Sequence, residues 1–132
     1  MAVFLFSPLL FEPDVQSNPA YYASHDDPRK KAGEEMITVV LPAYNESKSI
    51  GLLLSRIDDL MKKRKIPIRV IVVDDGSRDN TAQNARTAMS EAVVISHEVN
   101  KGLGEAIKTG LLAALEVSNE EDIIVTMDSD DS

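Results

Sequence analysis

The run Ile37-Thr38-Val39-Val40-Leu41, stopped by Pro42 and followed by Ala43-Tyr44-Asn45-Glu46, decides the reading of the whole chain. A short β-branched run without polar alternation suits a strand covered on both faces, as in a parallel sheet. Three more such runs follow: Arg69-Val70-Ile71-Val72-Val73, Val93-Val94-Ile95-Ser96 and Ile123-Ile124-Val125-Thr126-Met127. Helical patterns separate them. Ile50, Leu53, Leu54, Ile57, Leu60 and Met61 recur at three- and four-residue spacing and make one apolar stripe. Leu103, Ile107, Leu111 and Ala114 make another, and Asn80 to Met89 reads as a shorter, Ala-rich helix. The order β-α-β-α-β-α-β predicts an α/β fold, a Rossmann-like parallel sheet with right-handed crossovers.

Outside this alternation, residues 1–35 hold all three phenylalanines, two of the three tyrosines and four of the six prolines, with no helical or strand period. They read as an irregular N-terminal arm, or as an apolar tether over Ala2 to Phe11 that docks on the domain, a partner or a membrane surface. The regular domain is 36–132. Because the chain stops at Ser132, soon after the fourth strand, this domain is expected to be the N-terminal part of a longer one.

With 132 residues, 43% hydrophobic and 27% charged, the composition is that of a globular chain of one domain. A net charge of -8 argues against a nucleic-acid-binding surface. The lack of cysteine excludes a disulfide scaffold, a thiolate zinc site and a cysteine nucleophile. No apolar run, Ala2 to Phe6 included, approaches the roughly 20 residues of a membrane span, and the start lacks the basic residues of a secretory signal. A cytoplasmic protein is expected.

In open parallel sheets, ligands bind beyond the carboxyl ends of the strands. Three of the four ends carry unusual polar residues, which should converge on one rim. After the first strand stands Tyr44, the sole aromatic residue of 36–132. A ring in a ligand-side loop suits a nucleobase or sugar, or it merely shields a helix start. After the second come Asp74-Asp75-Gly76-Ser77. There a turn could expose backbone N–H groups, and a carboxylate could accept from a base N–H or a ribose hydroxyl. After the fourth come Asp128-Ser129-Asp130-Asp131. Asp128 and Asp130 can reach one hard cation, with diphosphate oxygens completing its shell. Without a cation, each carboxylate–phosphate contact at about 4 Å would cost roughly 4 kcal/mol at an effective dielectric of about 20.

Asn100-Lys101-Gly102-Leu103-Gly104 opens the third helix but lacks the third glycine of a dinucleotide fingerprint, position 107 being Ile. Its glycines allow close approach to a phosphate or to the first loop, with Lys101 available to offset phosphate charge. The basic end of the first helix, Lys62-Lys63-Arg64-Lys65, suits a helix C-terminus, with anionic lipid as the rival reading. His25 and His97 have no partner at metal or base spacing and are assigned no role.

Taken in order, Pro42-Ala43-Tyr44-Asn45-Glu46, Val73-Asp74-Asp75-Gly76-Ser77, Asn100-Lys101-Gly102-Leu103-Gly104 and Asp128-Ser129-Asp130 resemble glycosyltransferase family 2. The likeness is greatest to its dolichyl- and polyprenyl-phosphate mannosyl- and glucosyltransferases. It runs from about Ile37 to the end. The resemblance implies a GT-A fold and inverting transfer from a GDP- or UDP-linked sugar, dependent on Mg or Mn. It implies that Pro42, Tyr44 and Glu46 contact the nucleotide and that Val73 and Asp75 frame the base. Asp128 and Asp130 would hold the metal and diphosphate, with Met127 and Ser129 lining that turn. The implied acceptor is a lipid phosphate or a glycan. A lipid phosphate is already anionic and needs no separate general base, and no catalytic residue beyond the metal site is expected in this segment. Peripheral contact with the cytoplasmic face of a membrane is a further implication for the full-length protein.

Two rival classes share part of this pattern. A phosphoacceptor receiver domain also has an acidic pair after one strand and an acceptor Asp after a later one, which Asp74-Asp75 and Asp128 mimic. Here, however, a full strand and helix precede the pair, and a lysine on a later strand is missing. A non-catalytic nucleotide-binding module of the transferase fold is the other alternative.

Overall fold

A computed structural model describes residues 15–17, as backbone, and 35–128. Its elements in chain order are β1 (Val15–Ser17), β2 (Ile37–Ala43), α1 (Ile50–Arg64), β3 (Ile68–Asp74), α2 (Thr81–Ala88), β4 (Val93–His97), α3 (Leu103–Val117) and β5 (Ile123–Thr126). They form one five-stranded sheet in the order β1-β4-β3-β2-β5. The four strands from β2 onward are parallel, β2 lying against β3 from Ile37↔Ile68 to Ala43↔Asp74 and against β5 from Ile37↔Ile123 to Val40↔Thr126. This is the Rossmann-like half-sheet that the strand–helix alternation predicts.

Three details depart from the sequence reading. Val15–Ser17, within the stretch expected to be irregular, pairs antiparallel with β4 at the sheet edge. Pro42 does not stop β2, which runs on to Ala43. The carbonyl of Val40 accepts from Met127 on the β5 side, and strand alternation turns Pro42 to that same side. There β5 has already ended, so the missing N–H breaks no rung. The third departure concerns α3. Its tightest contacts come from small residues rather than the leucines: Ala106, Gly110, Ala113 and Ala114 are buried, Ile107 and Leu111 are half-buried and Leu103 is 60% exposed.

The core has two faces. Val39, Leu41, Val70 and Val72 meet Ile50, Leu54 and Ile57 of α1 together with Ala85 of α2. On the opposite face Val40, Ile71, Val73 and Ile95 meet α3. Each fully buried Leu or Ile contributes about 1.5–3 kcal/mol. Helix α1 ends where Lys65 takes a left-handed conformation (φ 55°) and Pro67 follows. Its last turn holds Lys62, Lys63 and Arg64, with Lys62 paired to Asp58 at 2.8 Å. Polar ties close the far end of the sheet. Arg69 donates to the Val117 carbonyl, and Asp122 accepts from the Met36 and Asn119 amides. Among the described residues no helix is long and apolar enough to cross a membrane.

Candidate nucleotide cleft

Beyond the carboxyl ends of the strands lies a cleft of about 460 Å³. Pro42, Ala43, Tyr44 and Glu46 line it from the β2 side, Asp75 from the end of β3, and Asp128 from the end of β5. Asn100, Gly102, Leu103 and Ala106 complete it from the turn before α3 and that helix's first turns. The positive end of the α3 dipole therefore faces the cleft.

Parallel pairing brings these parts together. Ala43 closes β2 opposite Asp74, and its carbonyl accepts from Asp75 N–H at 2.8 Å. Tyr44 and Asp75 thus leave adjacent strands side by side. Asn45 then turns the chain in a left-handed conformation (φ 53°), which Asn tolerates better than most residues.

The loop after β2 is tied to the loop after β3 and to the start of α2 through Asn45, Glu46 and Ser47. Asn45 N–H donates to Ser77 Oγ at 2.9 Å, and Asn45 Oδ1 accepts from Arg78 N–H at 2.9 Å. Glu46 N–H donates to Thr81 Oγ1 and Ser47 N–H to Asp79 Oδ2, while Asn84 Nδ2 donates to the Ser47 carbonyl. Asp79 also accepts from the Thr81 N–H and hydroxyl. Partial desolvation pushes the exposed Asp79 carboxyl up, but the hydrogen bonds from Thr81 and Ser47 outweigh that and hold it below its ordinary value. Glu46, half-buried, accepts from the Ser49 hydroxyl through Oε2 at 2.9 Å.

The acidic pair is employed differently from the sequence expectation. Asp74 Oδ1 takes the Ser77 N–H at 3.0 Å, so that turn amide is not left exposed for a ligand, and Oδ2 takes the Ser96 hydroxyl at 3.3 Å. Asp75 is buried and accepts from four donors. Oδ1 meets His97 Nδ1 at 2.8 Å and Lys101 N–H at 2.9 Å, and Oδ2 meets Asn100 Nδ2 at 3.1 Å and Gly102 N–H at 2.9 Å. Its oxygens are thus turned inward to the α3 turn rather than outward to a base or ribose. Gly76 (φ 72°) explains the closeness, because a Cβ there would lie 2.4 Å from backbone atoms of Val99 and Asn100.

Of the residues singled out in the sequence, Pro42, Tyr44, Glu46, Asp75 and Asp128 meet in this one cleft. Tyr44 is 43% exposed there and Met127 is exposed beside Asp128. Val73 ends its run with the side chain wholly buried against α3, which leaves its backbone to face the strand end. Ser129, Asp130 and His25 lie outside the described residues.

His97 is the residue that the sequence reading missed. It is buried, with Nδ1 on Asp75 and Nε2 at 2.8 Å from Thr109 Oγ1 of α3. The signal was strand register. Asp74 pairs with Ser96, so Asp75 and His97 occupy the next rung, on the α3 side with Val73 and Ile95.

Carboxylates are hard oxygen donors suited to Mg or Mn. Among the described residues no three potential ligands cluster, so Asp128 offers only part of a shell. Asp128 itself, a carboxylate on the cleft wall, is of the donor type that such a cation takes.

Residues 38–132 match glycosyl transferase family 2. The undecaprenyl-phosphate 4-deoxy-4-formamido-L-arabinose transferase of Pseudomonas fluorescens is 33% identical over 96 residues, 71% of this chain and 27% of that protein. The UDP-N-acetylglucosamine–dolichyl-phosphate N-acetylglucosaminyltransferase of Methanococcus voltae is 33% identical over 112 residues, 74% of this chain and 42% of that protein. Glucosyl-3-phosphoglycerate synthase from Mycobacterium tuberculosis, solved with Mn2+, uridine-diphosphate-glucose and phosphoglyceric acid, superposes with a TM-score of 0.56 at 36% identity. The superposition covers 75% of this chain and 34% of the synthase. The chain spans less than half the length of each of these relatives.

Proposed function

The chain belongs to glycosyl transferase family 2, and from that premise we propose that its cleft binds the nucleotide diphosphate of a sugar donor. On this reading residues 36–132 are the nucleotide-binding part of the transferase domain. The protein they serve transfers the sugar, with inversion, to a polyprenyl- or dolichyl-type lipid phosphate. The observation that carries the reading is the meeting of Tyr44, Glu46, Asp75 and Asp128 in one cleft at the strand ends.

Each wall has a chemical task. The half-exposed Tyr44 ring offers a flat face to the base, since aromatic stacking accepts any base. Gly102 and Leu103, at the start of α3, present a helix N-terminus to the phosphates. Asp128 would hold a divalent cation, joined by Asp130 two residues on. A bound Mg or Mn supplies neutralisation of the diphosphate and stabilises it as a leaving group. Both the lipid-phosphate acceptor and the metal draw support from the relatives: two act on lipid phosphates by name, and the synthase binds Mn2+ with its UDP-sugar. An anionic acceptor needs no base to activate it.

A thermal melt of this chain with UDP or GDP, each with and without manganese, tests the reading. Saturation at about 100 times the dissociation constant adds roughly 2.7 kcal/mol of stability. A manganese-dependent rise with one nucleotide, lost in Asp128→Asn, is the expected result. A rise that survives Asp128→Asn and Asp130→Asn removes the metal role, and a melt unmoved by either nucleotide overturns the cleft assignment.

A further inference from the structure

We propose that His97 is a positioning residue: through Asp75 it latches the Asn100–Gly102 turn against the cleft, and so sets the shape that the nucleotide meets. The inference rests on the nucleotide reading only for its consequence; the latch itself stands on geometry. His97 is the buried imidazole between β4 and α3, held at both ring nitrogens. The Asp75 oxygens are acceptors for two backbone amides and one side-chain amide, so the ring nitrogen beside them is the one that carries hydrogen. On its other side Nε2 lies 2.8 Å from the Thr109 hydroxyl, so the ring is held from both nitrogens.

With the ring so fixed, Oδ1 is shared between His97 and the Lys101 amide, and Oδ2 between Asn100 and the Gly102 amide. The Asn100 side chain reaches the Asp75 carbonyl as well. Three successive residues of the turn therefore hang on one carboxylate, and Asn100 and Gly102 line the cleft. Removing the imidazole leaves a buried carboxylate short of a donor, and its loss is felt at the turn rather than in the sheet. The sequence alone assigned this histidine nothing, and Asp75 was expected to face the base; the geometry gives both an organising task.

The test compares amide hydrogen exchange at Lys101 and Gly102 with that at Ile71 and Val72 of β3. It uses the wild-type chain, His97→Gln, His97→Leu and Thr109→Val, with UDP and Mn2+ titrated into each. Gln keeps one donor and one acceptor, Leu removes both, and Val removes only the Thr109 hydroxyl. The expected result is that His97→Leu speeds exchange at Lys101 and Gly102 by about tenfold or more while β3 is unchanged. UDP affinity falls by a similar factor, and His97→Gln retains most of both. Thr109→Val, the milder change should Leu prevent folding, shifts the same two amides in the same direction. Exchange that rises equally in β3 means a general packing role and overturns the latch, as does a His97→Gln variant no better than Leu. Local exchange that rises with UDP affinity unchanged overturns the link to the nucleotide. Should wild type fail to bind UDP while the exchange pattern appears, the latch is supported and the UDP assignment falls.

Discussion

Gly110 of α3 lies so close to Val40 of β2 that a Cβ on the glycine would sit 2.2 Å from Val40 Cγ1. A second contact, 3.2 Å to Val73 Cγ2, closes the other side. The helix can reach the sheet only because this residue has no side chain. Gly110→Ala should therefore destabilise the chain by about 1–3 kcal/mol, the usual cost of overpacking. Gly104, also in α3, has nothing within 4 Å of where a Cβ would stand, so Gly104→Ala should stabilise by about 0.5–1 kcal/mol. Urea unfolding of the two variants checks the opposite signs; two equal shifts would contradict the packing described.

The two glycines with positive φ make a second contrast. Gly102 (φ 97°) has open space around a Cβ, so Gly102→Ala incurs backbone strain alone, of order 1–3 kcal/mol. Gly76 adds to its strain a collision with the backbone of Val99 and Asn100, which a flexible side chain cannot relieve. Gly76→Ala should destabilise more than Gly102→Ala, and its spectral changes should reach Lys101. Equal losses in denaturant midpoint would argue against the contact between the two turns.

Asp79 gives a pH prediction. A slight desolvation raises its carboxyl, but hydrogen bonds from Thr81 and Ser47 outweigh that and hold it below the ordinary value of 3.8. A depressed carboxyl contributes stability that is fully present above the unfolded value and is lost as pH falls through the folded one. The tie between the two loops should thus persist at pH 5 and weaken below about 3.8. Carbon-detected NMR titration should place the Asp79 midpoint below that of an exposed aspartate, and Asp79→Asn should abolish the difference in loop chemical shifts between the two pH values.

Tyr44 is half-exposed and outside the core, so Tyr44→Ala should leave the melting temperature nearly unchanged. If the ring stacks on a base, the same variant should lose about 1–3 kcal/mol of nucleotide affinity, and Tyr44→Phe should lose little of it. Calorimetric titration with UDP and Mn2+ measures both. An alanine variant that binds as well as wild type would leave the ring without that role.

The parallel sheet was legible because its strands are unbroken aliphatic runs, a pattern that does not depend on partners. The strand-end residues were legible as candidates because parallel strands must deliver them to one rim. What a single sequence hid was pairing. That Asp75 faces inward follows only once His97 is placed on the neighbouring rung and Thr109 on the helix above it. The α3 face was misread for a related reason: a leucine stripe signals burial, but proximity to β2 selects small residues, and Leu103 is left at the cleft.

The many ties between the loops after β2 and β3 have a consequence for recognition kinetics. The rim that carries Tyr44 and Glu46 is already ordered by folding, so little entropy remains to be lost there when a ligand arrives.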